Sequence, residues 1–241
     1  MQIIIAKCKE EFDRIAADTV SQQIKDKPNS VLGLATGSTP LGLYAQLVER
    51  NKRGEIDFSQ ITTFNMDEYK GLPKDHPQSY HYFMHKYLFD EINVRPENIN
   101  LPNGEAADWA KECAEYEEKI RAAGGIDLQV LGIGHNGHIG FNEPGTPFEA
   151  LTSLIELDKR TIKANSRFFD SIDQVPRQAL SMGIKTIMQS RKLILMICGR
   201  DKAEIAYKAI KGPITPEVPA SVLQLHPFIT VLLDQDAASD L

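Results

Sequence analysis

Cysteine is scarce in this chain of 241 residues, which contains only Cys8, Cys113 and Cys198. The three lie far apart and form no CxxC pair, which argues against a disulfide framework and for a reducing compartment. No apolar run approaches the roughly 18 residues that a membrane-spanning helix requires. The apolar start of the chain is too short for a signal peptide. These absences predict a cytoplasmic protein with no membrane partner.

Basic residues are also in the minority, with 27 Lys and Arg against 33 Asp and Glu and a formal net charge of -6. That balance argues against nucleic acid or an anionic membrane as a partner. An anionic ligand would therefore need a local cluster of cations. The hydrophobic and charged fractions, 42% and 25%, are those of an ordinary globular protein.

Common cofactor motifs are missing or incomplete. The chain has no GxxxxGK[ST] loop for a nucleoside triphosphate and no HExxH zinc motif. Residues 132–137 match the GxGxxG dinucleotide pattern, but Gly140 and Pro144 interrupt the helix that should follow, and the match falls mid-chain. His135, His138 and Glu143 in the same stretch could suggest a metal site, but His138 and Glu143 lack the spacing of a metal-binding helix. We therefore expect neither a dinucleotide nor a metal.

Short apolar runs that predict strands alternate with segments of helical periodicity along nearly the whole chain. The clearest strand predictions are residues 31–35, 61–65, 127–130 and 193–198. Such alternation is typical of an α/β fold with a doubly wound, mostly parallel open sheet and helices on both faces, similar to a Rossmann fold. Because no repeat or linker interrupts the pattern, we expect a single domain over residues 1–241.

Proline marks two predicted helix starts. Pro40 suits the first position of a helix, with Thr39 before it as the N-cap. Pro176 is likewise expected to open a helix that ends near Met182. Both predictions use local sequence alone.

The stretch from residue 131 to 145 is the strongest candidate for a functional loop. It follows a predicted buried strand and combines two histidines, an amide and a carboxylate with several glycines. Glycine lets the backbone approach a ligand closely, and histidine titrates near neutral pH. Loops at the carboxyl ends of strands hold the sites of open α/β sheets. The stretch therefore predicts a site that works by proton transfer or hydrogen bonding.

Residues 36–40, Thr-Gly-Ser-Thr-Pro, form a second candidate loop. A strand leads into a small, hydroxyl-rich turn that opens a helix, where backbone N–H groups and the helix dipole favour an anion. The turn predicts either a phosphate site or an ordinary helix cap.

Charged residues follow other predicted strands. Asp67, beside Glu68, is either a general base or a solvated strand end. Arg167 and Lys202 are either partners of an anion or solvated charges. Because the carboxyl ends of parallel strands share one edge of a sheet, we expect four loops to converge on a single site. These loops are residues 36–40, 67–69, 132–145 and 199–202.

Five sequence blocks, in this order, resemble the glucosamine-6-phosphate deaminase family. The blocks are residues 36–40, 64–73, 134–144, 164–169 and 223–227. The resemblance covers nearly the whole chain. It implies an enzyme of amino-sugar breakdown that converts glucosamine 6-phosphate and water into fructose 6-phosphate and ammonia.

The resemblance also implies roles for individual residues. Asp67 would be the base that takes the proton from C2 and returns it to C1 through an enolamine. His138, held by Asn136 and Glu143, would move the proton that opens the sugar ring. No metal or organic cofactor is implied.

The implied phosphate site joins a backbone loop to two cations. Its members would be Thr36, Gly37, Ser38, Thr39, Arg167 and Lys202. Although the net charge of the protein is negative, these two cations would attract the phosphate of an anionic substrate locally. Residues 157–177, which include Arg167, resemble a mobile lid of the family. Its closure would exclude water from the enolamine.

Two departures from the family pattern modify these expectations. Asn136 stands where some members have Asp, so it could orient His138 but could not stabilise an imidazolium by charge. The larger allosteric hexamers have a longer C-terminal tail than this chain, which ends at Leu241, and basic residues where residues 152–156 here contain none. We therefore expect no activation by N-acetylglucosamine 6-phosphate, and a monomer or small homo-oligomer.

Two other functions remain open at this stage. A 6-phosphogluconolactonase would use the same phosphate loop and histidine for hydrolysis, but opening a lactone needs no C2 base such as Asp67. A sugar-phosphate sensor without catalysis is a different class, and it would have no need of Asp67, His138 and Glu143. Release of ammonia distinguishes the deaminase from both.

Overall fold

The computed structural model of the chain describes every residue from Met1 to Leu241. The strands, in chain order, are β1 (Gln2–Ala6), β2 (Val31–Leu34), β3 (Thr62–Asn65), β4 (Asp67–Tyr69), β5 (Ile99–Asn100), β6 (Leu128–Leu131), β7 (Ser153–Glu156), β8 (Gln178–Ser181), β9 (Lys192–Ile197) and β10 (Ile229–Asp234). The helices are α1 (Lys9–Asp26), α2 (Leu41–Lys52), α3 (Tyr80–Tyr87), α4 (Trp109–Ala122), α5 (Lys159–Asn165), α6 (Ile184–Met188) and α7 (Ala203–Lys211). None of the helices has the length and apolar character needed to cross a membrane.

Seven strands form one sheet in the order β1-β10-β9-β6-β2-β3-β5, and every neighbouring pair is parallel. From β2 the chain proceeds outward through β3 to β5, whereas from β6 it proceeds the other way through β9 to β10. The boundary between β2 and β6 is therefore the topological switch point, where a crevice opens at the carboxyl ends of the strands.

Apolar side chains pack in two cores, one on each face of this sheet. On β9, Ile194 and Met196 belong to the core beneath α1, α2 and α3, whereas Leu193 and Leu195 belong to the core beneath α4, α6 and α7. Successive strand residues point to opposite faces, so a strand covered on both sides reads as a continuous apolar run. The predicted doubly wound fold is thereby confirmed.

The amino ends of the central strands are joined by the buried carboxylate of Asp127. It accepts the backbone N–H of Val31 at 2.8 Å and pairs with Lys27 at 2.7 Å and Arg191 at 3.0 Å. The exposed ends of these two cations let water solvate them, while the carboxylate itself is only 3% exposed. This clamp stabilises the sheet at the end opposite the crevice.

A second, smaller sheet consists of β4, β8 and β7, paired antiparallel. The predicted helix from Pro176 to Met182 is wrong, because Gln178–Ser181 is the central strand β8 of this sheet. Pairing with strands distant in sequence overrides the local preference there. The chain leaves the main sheet after β3 and enters the small sheet at Asp67, so that residue lies where the two sheets meet.

The predicted cap of α2 also differs. The helix begins at Leu41 with Pro40 in the N-cap position, and no side chain caps it. The hydroxyl of Thr39 instead lies 3.7 Å from the Cys198 sulfur, at the end of β9. The small side chains of the turn are therefore not used to close the helix end.

Candidate active site

A cavity of about 790 Å³ lies over the carboxyl ends of the central strands. Residues from all four predicted loops line it, which confirms that these loops converge. Nine of the ten residues proposed from sequence line this cavity: Thr36, Gly37, Ser38, Thr39, Asp67, Asn136, His138, Arg167 and Lys202. The tenth, Glu143, lies behind His138 and contacts it.

Thr36–Thr39 forms the cavity wall at the switch point. Gly37 has a φ of 104°, a left-handed conformation that glycine adopts without a steric penalty. This conformation turns the backbone between the end of β2 and the start of α2. Backbone N–H groups and hydroxyls of the turn are the donors that an anion would need.

Lys202 also lines the cavity, from the single 3₁₀ turn Arg200–Lys202 that follows β9. Its ammonium donates to the carbonyl oxygen of Ile133 at 2.9 Å. Burial lowers the pKa of Lys202 to about 8, with the charge of Arg167 acting in the same direction and Asp201 opposing it. Arg167 itself projects from the 3₁₀ turn Ser166–Phe168, with its guanidinium 4.7 Å from the Phe168 ring.

Asp67 is the deepest charged group of the cavity and is only 7% exposed. Burial, together with the charge of the adjacent Glu68, raises the pKa of Asp67 to about 8. No hydrogen bond offsets either effect. A carboxylate that lacks a partner and has an unusually high proton affinity is a strong base, and such groups cluster at catalytic sites.

Glu68 is a buried carboxylate to which the sequence analysis gave no role distinct from that of Asp67. It accepts backbone N–H groups of Tyr69 at 2.8 Å, Tyr80 at 3.0 Å and His81 at 2.8 Å, which ties β4 to the start of α3. Burial raises its pKa to about 7 despite these three bonds. Because hydrogen bonds favour its ionised form, Glu68 loses its proton before Asp67 does.

His138 and Glu143 form the second titratable pair of the site. His138 Nδ1 lies 3.3 Å from Glu143 Oε2, and the amide of Asn136 donates to the same oxygen at 2.6 Å. Burial disfavours ionisation of Glu143, but bonds from His138, Thr161 and Asn136 and the charge of His138 outweigh it and lower the pKa to about 2. A carboxylate at Nδ1 fixes the imidazole and leaves Nε2 able to accept a proton.

Gly134 makes room for this histidine. A Cβ at that position would lie 2.2 Å from Cε1 of His138, closer than side chains approach one another. Any other residue at 134 would displace the imidazole from Glu143. This packing, rather than dinucleotide binding, explains one glycine of the GxGxxG pattern.

The segment 157–177 contributes two further bonds to Glu143, which the sequence did not indicate. The Oε1 atom of Glu143 accepts a hydrogen bond from the hydroxyl of Thr161 at 2.6 Å and one from the backbone N–H of Asp158 at 3.3 Å. Asn165 in the same segment donates to the hydroxyl of Tyr69 at 2.7 Å. The segment therefore contacts both carboxylate-bearing sides of the cavity.

Aromatic rings line the cavity between these two sides. Tyr69 packs on Tyr80, Phe141 and Phe169, with ring centroids 4.9, 5.6 and 6.1 Å apart. Such a wall excludes water and lowers the local dielectric constant, which strengthens charge interactions. No three His, Cys, Asp or Glu side chains come together as a metal site would require.

Comparison with known proteins agrees with this architecture. A model of the family of glucosamine-6-phosphate isomerases and 6-phosphogluconolactonases matches residues 6–231. A glucosamine-6-phosphate deaminase of Thermoanaerobacter pseudethanolicus is 56% identical over 239 residues, covering 99% of this chain and 94% of that protein. The solved structure of a monomeric glucosamine-6-phosphate deaminase superposes with a TM-score of 0.98 at 46% identity and full coverage of both chains.

A 6-phosphogluconolactonase from Trypanosoma brucei has a TM-score of 0.81 at 18% identity, covering 100% of this chain and 98% of its own, so it shares the fold. Fold and cavity together define a doubly wound α/β protein with an acid–base site at the switch point of its sheet. The chain belongs to the family of glucosamine-6-phosphate isomerases and 6-phosphogluconolactonases.

Proposed function

We propose that this chain is a glucosamine-6-phosphate deaminase, which converts glucosamine 6-phosphate and water into fructose 6-phosphate and ammonia. The observation that carries the proposal is the cavity itself. It holds an unpartnered carboxylate, Asp67, together with the His138–Glu143 pair and the cationic loop site. Identity of 56% to a deaminase along nearly the whole chain supports the same reaction.

The substrate phosphate would bind between the turn Thr36–Thr39 and the cations Lys202 and Arg167. A sugar phosphate carries roughly -1.5 to -2 charges near neutral pH. Backbone N–H groups would bind its oxygens, arginine would offer a bidentate contact, and lysine a point charge. This anchor would set the position of the sugar carbons relative to Asp67.

Ring opening would be the work of His138. The imidazole Nε2 takes the proton of the O1 hydroxyl and delivers it to O5 as the C1–O5 bond breaks, which leaves an aldehyde at C1. Glu143 stabilises the positive charge that the imidazole of His138 carries after it has taken the proton from O1 and before it delivers it to O5. Asn136 orients Glu143 through its amide, and as a neutral group it adds no charge to that stabilisation.

Isomerisation would then depend on Asp67. Its carboxylate takes the C2 proton, the electron pair of that bond forms the C1=C2 double bond, and O1 takes a proton from the ammonium group that the substrate carries on C2, which gives an enolamine. The same carboxyl returns the proton to C1, which leaves an iminium at C2. Water adds to C2 and the nitrogen departs as ammonium, the protonated form of ammonia, which leaves a ketone at C2. The high proton affinity of Asp67 suits a base that must abstract a proton from carbon.

Residues 157–177 would act as a lid within a single domain spanning residues 1–241. The lid carries Arg167, which would contact the phosphate, and Thr161, which holds Glu143. Closure would exclude water until the enolamine has been protonated. Every proposed group comes from one chain, so a monomer would suffice for the reaction. The sparse cysteines favour the cytoplasm as its compartment.

The deciding experiment measures ammonia and fructose 6-phosphate from glucosamine 6-phosphate with the purified protein, in the presence of EDTA. Stoichiometric formation of both products would support the proposal. No ammonia, with hydrolysis of 6-phosphogluconolactone instead, would replace it by the lactonase function and remove the role of Asp67. Binding of the sugar phosphate without either product would indicate a sensor.

A further inference from the structure

One carboxylate in the cavity wall stands in conflict with a phosphate site. Asp201 lines the cavity and precedes Lys202 directly in the 3₁₀ turn after β9. A carboxylate in this position would repel a phosphate and could pair with the ammonium that the phosphate needs. The surroundings of Asp201 show how this conflict is avoided.

Asp201 is bound to another loop. Its Oδ2 lies 2.6 Å from Nε2 of His135, in the loop that follows β6. This hydrogen bond is the largest influence on the carboxyl and lowers its pKa, so Asp201 is ionised at neutral pH. Its charge is therefore present, but its oxygen is engaged by the imidazole.

Lys202 points to a different acceptor. Its ammonium donates to the carbonyl of Ile133, and no ion pair within 4.0 Å joins it to Asp201. The loops after β6 and β9 are thus cross-linked twice, once by His135 with Asp201 and once by Ile133 with Lys202. A carbonyl is a neutral acceptor that a phosphate can displace or share, whereas a carboxylate would bind the ammonium more strongly.

The geometry points to His135 as a positioning residue: we propose that it holds the carboxylate of Asp201 so that Lys202 stays available to the substrate phosphate. The inference rests on the proposed function, because it assigns Lys202 to phosphate. His135 has no contact with the reacting carbons in this scheme. Its removal would let Asp201 turn to Lys202 and compete with the phosphate.

The test uses the full chain with three changes: His135→Ala, Asp201→Asn and both together. We expect His135→Ala to raise KM for glucosamine 6-phosphate, and the inhibition constant of inorganic phosphate, about two- to fivefold, the range of an exposed ion pair. The value of kcat should stay the same. Because the charge of Asp201 also raises the pKa of Lys202, the assays are run at pH 7, below that pKa of about 8. There Asp201→Asn should not raise KM, and the double variant should return to the KM of Asp201→Asn.

A normal KM in the double variant would show that Asp201 competes with the phosphate for Lys202 in His135→Ala. It would exclude the alternative that the His135–Asp201 pair only holds the two loops together. If the pair only tied two loops together, both single variants would weaken binding and the double variant would stay weak, which overturns the inference. An unchanged KM in His135→Ala would overturn it as well. His85→Ala is the matched control, because His85 pairs with Asp90 at 2.7 Å outside the cavity and its loss should leave KM unchanged.

Lys202→Met distinguishes this inference from the proposed function. It should raise KM in the wild-type chain and abolish the difference between His135→Ala and the double variant. If Lys202→Met leaves KM unchanged, the phosphate role of Lys202 and this inference both fail. If it raises KM but the double variant is not rescued, this inference alone fails.

Discussion

At the scale of single residues, the site depends on a buried carboxylate that is unfavourable for folding. Asp67 has no hydrogen-bond partner, and its pKa rises from 3.8 to about 8. The folded chain therefore holds this proton more tightly than the unfolded chain does. The stability that results is fully present below about pH 4 and is lost as the pH rises through about 8.

Asp67→Asn should therefore separate activity from stability. We expect kcat to fall at least about 10²-fold, the low end for a positioned acid–base group. The melting temperature should rise near pH 8, where the wild-type carboxylate is charged, by roughly 2–4 °C for each kcal/mol gained. Near pH 4 the gain should vanish. A variant that keeps wild-type turnover would remove Asp67 from the mechanism.

The pH profile of kcat/KM should be bell-shaped with a maximum near pH 8. Activity falls on the acid side because Asp67, with a pKa of about 8, is protonated. It falls on the basic side because Lys202, whose pKa is also about 8, loses the charge that binds phosphate. Initial rates across the range test this, and Lys202→Arg should flatten the basic side only, because arginine stays charged.

Sequence reasoning found the residues whose type reveals their chemistry and missed those whose role depends on packing. Asp67 and His138 were predicted from their motifs, and the structure places both in the cavity. Thr161 and Glu68 were not, because a threonine in an unremarkable helix and a second acid on a strand carry no local signal. Their contacts with Glu143 and with the start of α3 join segments far apart in the chain.

At the scale of elements, helix α5 connects the segment 157–177, of which it is a part, to the His138–Glu143 pair. Thr161, 5% exposed, donates its hydroxyl to Glu143, so α5 holds the carboxylate that orients His138. The position of this segment and the geometry of the His138–Glu143 pair are thus linked. If residues 157–177 moved away, Glu143 would lose the bonds from Thr161 and Asp158 while both members of the pair remained unchanged.

Thr161→Val should test that link, because it keeps the shape of the side chain and removes the hydroxyl. We expect kcat to fall about tenfold, in line with the loss of a hydrogen bond to a charged group. Ser166→Ala is the control, since the Ser166 hydroxyl bonds only the carbonyl of Lys163 in the same segment. Equal kinetics for the two variants would show that Glu143 does not need α5.

Two strands of the small sheet, β4 and β8, escaped prediction for a physical reason. Strand β4 has three residues and β8 has four, too few to show a period of two. Each is fixed by pairing with a partner far along the chain, such as Asp67 with Ser181. Strands β2 and β9 of the main sheet were predictable because burial on both faces makes them nearly continuous apolar runs.

At the scale of the whole molecule, stability and chemistry occupy opposite ends of the sheet. Asp127→Ala should lower the free energy of unfolding by about 1–3 kcal/mol, because the buried N–H of Val31 loses its acceptor. Denaturant melts measure that loss. The values of KM and kcat should not change, because the cavity lies at the far ends of the strands. A changed KM would show that the two ends are coupled.

The pairing of β1 has a consequence for how the chain is made. Its partner is β10, with Gln2 opposite Thr230 and Ala6 opposite Asp234. Strand β1 therefore leaves the ribosome long before β10, and its hydrogen bonds to β10 can form only after β10 has been synthesised. Closing so long a loop is slow. Until β10 has formed, the backbone N–H and C=O groups of β1 lack their strand partner and are free to pair with another chain.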